Sequence, residues 1–296
     1  MTGSGALVLA GEGLEVVTLP EVGGRIHRIR AFGEDLLRTP DDPAVHGTEP
    51  FFWGAYVMAP WCNRAAAGPT EVAGRPVSLA PNFPDGTAIH GLVSSAPWVR
   101  RASGELTIRR DADHAWPWAF EVRQAARLAG STLELTYVLA NLDADAPMPA
   151  GIGLHPWFRR PLRLRLPAER AYTSNTDSPP EPAPVAGGDL DLRAGAAPPD
   201  RLDGTWAGLG EGQVELIWRE RGIRLALAIE TDAPDALVAV ATPAGLDAIA
   251  IEPQTHGPDP FRRLGAGEPD PPMLLPPGAS MRLAIRLTFE RVGPPG

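Results

Sequence analysis

Hydrophobic residues recur at every second position through much of this 296-residue chain. A period of two places them on one face of a strand and leaves no apolar stripe on a helix. Arg282 to Glu290 reads RLAIRLTFE, with Leu283, Ile285, Leu287 and Phe289 on one side. Thr132 to Leu139 alternates Leu133, Leu135, Tyr137 and Leu139, and Phe120 to Leu128 alternates Phe120, Val122, Gln124, Ala126 and Leu128. The short link Ala129 to Ser131 joins these two runs as a hairpin. Gln213 to Trp218 and Ile223 to Glu230 form a second hairpin across Arg219 to Gly222. Leu14 to Leu19, Arg25 to Phe32, Val77 to Ala80, Glu105 to Arg109, Leu162 to Leu166, Leu237 to Ala241 and Ala248 to Glu252 are further strand candidates. No amphipathic helix longer than about two turns stands out. Many short strands punctuated by Gly and Pro specify an all-β chain, an antiparallel sandwich or barrel.

Two stretches break the pattern. Asp177 to Asp200 contains six prolines and Pro253 to Gly278 contains eight. Strand patterns continue on both sides, so both read as long surface loops of one domain spanning residues 1–296. Long loops in a compact domain are often functional. Composition then narrows the chemistry. All 27 basic residues are arginine, so Schiff-base and lysine-bearing phosphate-loop mechanisms are excluded. A net charge of −9 argues against nucleic acid and anionic membranes as partners. The lone Cys62 excludes an intrachain disulfide and reads as an inert buried residue. Met1 to Glu15 lacks a basic region followed by a long apolar run, and no window holds 18 uninterrupted apolar residues. The expectation is a cytoplasmic protein.

Six histidines are present, none in HExxH or zinc-knuckle spacing, and neither GxSxG nor a GxGxxG after a strand occurs. Four strings gather polar groups among Gly, Pro and aromatics: APWCNRAAAG (Ala59 to Gly68), AIHGL (Ala88 to Leu92), GLHPWF (Gly153 to Phe158) and AIEPQTHGPDPF (Ala250 to Phe261). Each reads as a strand end or tight loop, where binding residues concentrate. Aromatic rings beside polar groups suit sugars, whose C–H faces pack on rings while their hydroxyls need hydrogen-bond partners. The remaining histidines read as structure: His27 as a strand residue, His46 and His114 as exposed loop residues. Trp116 and Trp118 read as packing, and the arginines of Arg159 to Pro167 as a solvated strand face. On residues alone the reading stops at an all-β protein with a polar cleft.

Taken in order, the four strings resemble the aldose 1-epimerase (galactose mutarotase) family, and the resemblance extends from about Gly23 to Phe289. The matching segments are Asn63-Arg64 running to Gly68, His90-Gly91, Gly153 to Phe158, and Glu252-Pro253-Gln254 trailed by Pro258-Asp259. Leu275 to Ser280 resembles the family's closing turn, and Pro60-Trp61-Cys62-Asn63-Arg64 is similar to the first motif of its shorter bacterial members. The resemblance implies a large antiparallel β-sandwich, a galactose mutarotase-like supersandwich, with a sugar on one concave face. It implies Glu252 as general base and His155 as general acid, His90 and Arg64 as sugar-holding residues, and Asn63 and Gln254 in support. A sugar-binding aspartate is best matched by Asp203, in a segment that departs from the family at Gly204 and Thr205. The His256-Gly257 pair has no counterpart in the family segment.

The implied activity is interconversion of the α and β anomers of a free aldohexose. The ring must open and reclose, so a base takes the anomeric proton while an acid protonates the ring oxygen. A carboxylate and an imidazole suffice, with no metal and no cofactor, and the guanidinium of Arg64 can bridge adjacent hydroxyls. The expected partner is a monosaccharide, and the chain a monomer or homodimer. Two other readings stay open. One is a sugar-binding or sensing protein without useful catalysis. The other is a hexose-phosphate 1-epimerase, which needs a cationic cluster at the cleft; Arg159, Arg160, Arg262 and Arg263 are the candidates.

Overall fold

A computed structural model describes residues 5–42, 45, 49–173, 181–185, 187–210 and 212–293. The expectation for His46, and residues 177–180 and 186 of the first proline-rich stretch, lie outside them. Two large antiparallel sheets dominate. The first has eleven strands and runs Leu7–Gly11, Leu14–Leu19, Arg25–Ala31, Ala55–Met58, Gly153–Arg159, Ala248–Gln254, Leu237–Ala241, Asp203–Ala207, Arg170–Thr173 and Pro182–Pro184, with Glu34–Asp35 added beside Arg25–Ala31. The second has eight strands and runs Val99–Arg100, Leu106–Arg110, Phe120–Ala129, Thr132–Asn141, Ser280–Arg291, Ile223–Thr231, Val214–Trp218 and Arg163–Arg165. Their facing sides share one hydrophobic core, so the chain is a large antiparallel β-sandwich. Among the described residues the only α-helix is Pro260–Ala266, and no helix is long and apolar enough to cross a membrane.

The second sheet follows the sequence closely because one of its faces is wet. Thr132–Asn141 alternates strictly between buried and partly buried residues. Its register sets Leu135 against Ile285 and Leu133 against Leu287, which joins the two most regular patterns side by side. Both hairpins form where alternation places them, the first turning at Gly130 in the left-handed region (φ 61°). Of the arginine-rich segment only Arg163 and Arg165 stand on an exposed strand face, with Leu164 buried between them; Arg159 and Arg160 are half-buried, and Arg159 ends a strand of the first sheet.

The centre of the first sheet does not alternate. Ala55–Met58 and Ala248–Gln254 are buried at every position, and Gly153–Arg159 at all but its last. Such strands are covered on both sides, here by the core beneath and a side-chain cluster above. Glu252 and the GLHPWF string therefore lie within strands at the middle of the sheet, which corrects their reading as strand ends or tight loops.

Ile285 has no exposed surface and sits at the centre of the second sheet. Ile285→Ala is expected to lower stability by about 2–5 kcal/mol, the range for truncating a core aliphatic. Denaturant unfolding at constant m-value measures it.

Candidate active site

The register of the central strands brings the polar groups together. Gly153 pairs with Gln254 and Trp157 with Ala250, which sets His155 opposite Glu252. On its other side His155 pairs with Tyr56. The two rings stack at 4.5 Å between centroids, with 22° between their planes. His155 Nε2 lies 3.1 Å from Glu252 Oε1, and both residues are buried. Beyond Glu252 the neighbouring strand presents Ala239, Val240 and Ala241, whose short side chains leave room above the sheet.

That room is a cavity of about 350 Å³, ample for a monosaccharide. Glu252 and His155 lie on its floor, with His90, Asn63, Arg64 and Asp203 around them. Phe51, Phe52, Phe83 and Trp157 supply an aromatic wall, and Arg201, Leu202 and the Thr242-Pro243-Ala244 turn close the remaining side. Six of the seven site residues expected from sequence thus line one cavity. Gln254 does not line it: fully buried, its amide donates to the His256 carbonyl at 2.7 Å, so it braces the following loop.

Three non-glycine residues of the cavity lining hold left-handed backbone, Asn63 (φ 56°), His90 (φ 60°) and Arg201 (φ 65°). Asn63 and His90 are tied reciprocally. The His90 N–H donates to the Asn63 carbonyl at 3.1 Å, and the Asn63 N–H donates to His90 Nδ1 at 3.2 Å. With Nδ1 accepting, the ring proton of a neutral His90 belongs on Nε2, where it is a donor for a ligand. Gly91 follows because a Cβ there would fall 2.0 Å from the Ala59 carbonyl oxygen.

His256 is a second tie. Its Nε2 accepts the Cys62 N–H at 3.0 Å while Nδ1 lies 2.7 Å from the Gly257 carbonyl, which fixes one neutral tautomer. The imidazole joins the Asn63-Arg64 loop to the segment after Glu252, so the pair without a family counterpart is part of the scaffold. Cys62 is fully buried, and burial, then Glu252, push its thiol well above the usual range. It is inert, as the sequence suggested.

Arg64 is held by two carboxylates, with Nε donating to Asp85 at 2.8 Å and Nη1 lying 3.8 Å from Asp203. The four arginines considered for a phosphate lie elsewhere. Arg159 donates to the Leu37 carbonyl and Arg160 pairs with Asp200. Arg262 pairs with Asp259 and Glu268, and the buried Arg263 donates to the Pro258 carbonyl and covers the Tyr172 ring. Arg201, which no motif marks, is the other guanidinium lining the cavity.

Burial also sets the charges. It pushes the Glu252 carboxyl up to about 8; nearby Asp203 adds to this and Arg64 opposes it. Burial, then Arg64, pull His90 down to about 3. His155 is held well below the usual imidazole range by burial, then by His90 and Arg25, against a bond to its own backbone. Burial therefore favours the neutral form of both groups, with one proton to share across their 3.1 Å contact. Among the described residues, His90, His155 and Glu252 are also the only cluster with metal-ligand spacing, their ligand atoms all within 4.8 Å of one another. Two imidazoles and a carboxylate suit a divalent transition ion, but ligation would occupy both groups of the pair.

The aldose 1-epimerase family model matches residues 6–288. The chain belongs to the aldose 1-epimerase family. A galactose mutarotase-like protein from Clostridium acetobutylicum shares the fold at a TM-score of 0.81 and 16% identity, over 97% of this chain and 95% of that one. A provisionally named aldose 1-epimerase from Escherichia coli K12 superposes at 0.80 and 22% identity, over 98% of this chain and 100% of that one. A galactose mutarotase-like protein from Lactobacillus casei ATCC 334 gives 0.74 and 15%, over 97% and 100%. No curated protein matches the chain. In this member of the aldose 1-epimerase family, six of the seven site residues expected from sequence thus line one cavity above the first sheet.

Two outcomes follow for stability. A Cβ at Gly151 would lie 2.1 Å from His256 Cδ2, and that ring cannot yield without breaking both its bonds. Gly151→Ala is expected to cost about 1–3 kcal/mol, read by denaturant unfolding. Glu252 works in the opposite sense. Its folded pKa lies above its unfolded value, so its contribution is complete below about 4.5 and is lost as pH rises through about 8. Glu252→Gln should remove that loss. Its melting temperature should exceed that of the parent at pH 9 and converge with it near pH 5; a parallel pair of curves contradicts the assignment.

Proposed function

We propose that this chain is an aldose 1-epimerase that interconverts the α and β anomers of a free aldohexose by acid/base ring opening. The buried contact between Glu252 and His155, 3.1 Å apart on the floor of a sugar-sized cavity, carries the reading. A pair holding one proton is suited to the reaction. Moving that proton to His155 leaves a carboxylate to take the anomeric proton and an imidazolium to protonate the ring oxygen. The aldehyde then rotates about its bond to C2, and the two groups exchange roles as the ring closes. Neither group is consumed.

The remaining groups bind and orient. Arg64 and Asp203 offer a donor fork and an acceptor to adjacent hydroxyls, and His90 Nε2 adds a donor. The aromatic wall takes the C–H face of the ring and excludes water, which strengthens each polar contact in the cavity. Arg64 is balanced by Asp85 and Asp203, and the four other arginines considered for a phosphate are engaged away from the cavity. These five arginines favour an uncharged sugar over a hexose phosphate, with Arg201 the one other cavity-lining guanidinium that a phosphate would have to use.

NMR exchange or polarimetry on a panel of aldohexoses tests the proposal. Exchange above the spontaneous rate is expected, lowered about 10²–10⁴-fold by Glu252→Gln or His155→Asn. Sugar binding by calorimetry with no exchange above background indicates a binding protein instead. Faster turnover of a hexose 6-phosphate than of the free sugar overturns the choice of substrate.

A further inference from the structure

Arg25 carries a charge that the acid/base pair alone does not explain. It lies in the strand Arg25–Ala31 and has no exposed surface. Its guanidinium donates to three backbone carbonyls, Trp53 at 3.0 Å, Pro50 at 2.7 Å and Ser94 at 3.2 Å. Among the described residues no carboxylate pairs with it, and its Nε has no acceptor. Burial lowers its pKa to about 10, so it stays charged at neutral pH. Leaving a charge without a counter-ion at a dry site is costly, and surrounding carbonyls and ring faces offset only part of it.

The two ring faces are the informative part. The guanidinium carbon sits 3.9 Å from the Trp53 ring centroid and 4.6 Å from that of Tyr56. Tyr56 is the ring that stacks on His155. A column therefore runs from a fixed cation through an aromatic ring to the imidazole assigned to acid/base work. The groups facing that imidazole are Tyr56 from the strand Ala55–Met58, His90 beyond the strand Ala88–Ile89, and Glu252 from the strand Ala248–Gln254. Glu252 in turn answers to Asp203 and Arg64. Glu252 and Asp203 supply negative charge at the cavity; Arg25 supplies positive charge on the same face of the sheet, from the far side of Tyr56.

We propose that Arg25 is a positioning residue for the reaction: acting through the Tyr56 ring, it fixes the plane of His155 and makes the His155 imidazolium a stronger acid. A cation held behind the imidazole opposes a second positive charge there. The proton moved onto His155 from Glu252 is then released more readily to a weakly basic ring oxygen. The same cation holds the Tyr56 face flat, and the stacked imidazole with it. Planarity matters here, because an ammonium can replace the charge and not the stack.

The proposal rests on the acid/base reading above, so the test includes a readout independent of turnover. Arg25→Gln removes the charge and keeps a donor for the carbonyls; Arg25→Lys keeps the charge and loses the planar fork. By NMR titration of His155 in the sugar-free protein, Arg25→Gln is expected to raise the imidazole pKa by about one unit, the scale of a unit charge acting in a poorly screened site. The acidic limb of the exchange rate should move up with it. In Arg25→Lys that limb should stay in place, with kcat reduced about tenfold or more and KM for the sugar little changed. A folded Arg25→Gln protein with the parental His155 titration overturns the proposal. If Arg25→Gln does not fold, Arg25→Lys decides: parental kcat overturns the proposal, and a fall in kcat at constant KM supports it. Absence of anomer exchange in the parent protein overturns the functional reading, while the His155 titration still tests the column.

Discussion

An ionisable carboxyl and an imidazole held 3.1 Å apart on the cavity face of the first sheet set the terms for everything around them. Burial disfavours the charged form of each. The pair persists because strands on both sides fix its backbone: Gly153–Arg159 runs between Ala55–Met58 and Ala248–Gln254 in continuous register. The resulting cost is that of preorganising polar groups, which are held in place by folding free energy gained elsewhere. Here the gain comes from the large shared core between the two sheets.

The loops around the pair are secured by imidazoles and arginines in neutral or internally balanced forms. His90 and His256 each accept a backbone N–H from the Cys62-Asn63 corner, which binds the first motif to the second and the fourth. The loop after Glu252 is closed by Arg263 and Arg262, and Tyr172 donates to Asp270 beneath it. Asn63, His90 and Arg201 line the cavity in left-handed backbone, so part of the departure from ordinary geometry lies there. The short motifs are thus two things at once, ligand-facing side chains and the clamps that aim them.

How much of this could be read from sequence depended on exposure. Strands with one wet face announce themselves by alternation, and Thr132–Asn141, Ser280–Arg291 and Leu14–Leu19 fall where the pattern puts them. Ala55–Met58 and Gly153–Arg159 are buried on both faces and lack that signal, so the chain's most important strand resembled a loop. Phe51, Phe52, Phe83 and Arg201, which line the cavity, stand outside the four strings and carry no pattern that marks them. Arg25 reads as one arginine among 27, because nothing in a strand pattern marks a cation that ends up buried without a carboxylate.

Local chemistry determined the all-β class, the hairpins, the mechanisms barred by the absence of lysine, and the residue types available for acid/base work. These properties follow from periodicity and composition, which act over a few residues or over the whole chain at once. Tertiary structure alone decided which of those residues meet. Glu252 and His155 are separated by most of a hundred residues and joined by strand register; Gln254, two positions from Glu252, turns to brace a loop. It also decided their charges, since a pKa is set by burial and neighbours, and neither is a property of the residue's own segment.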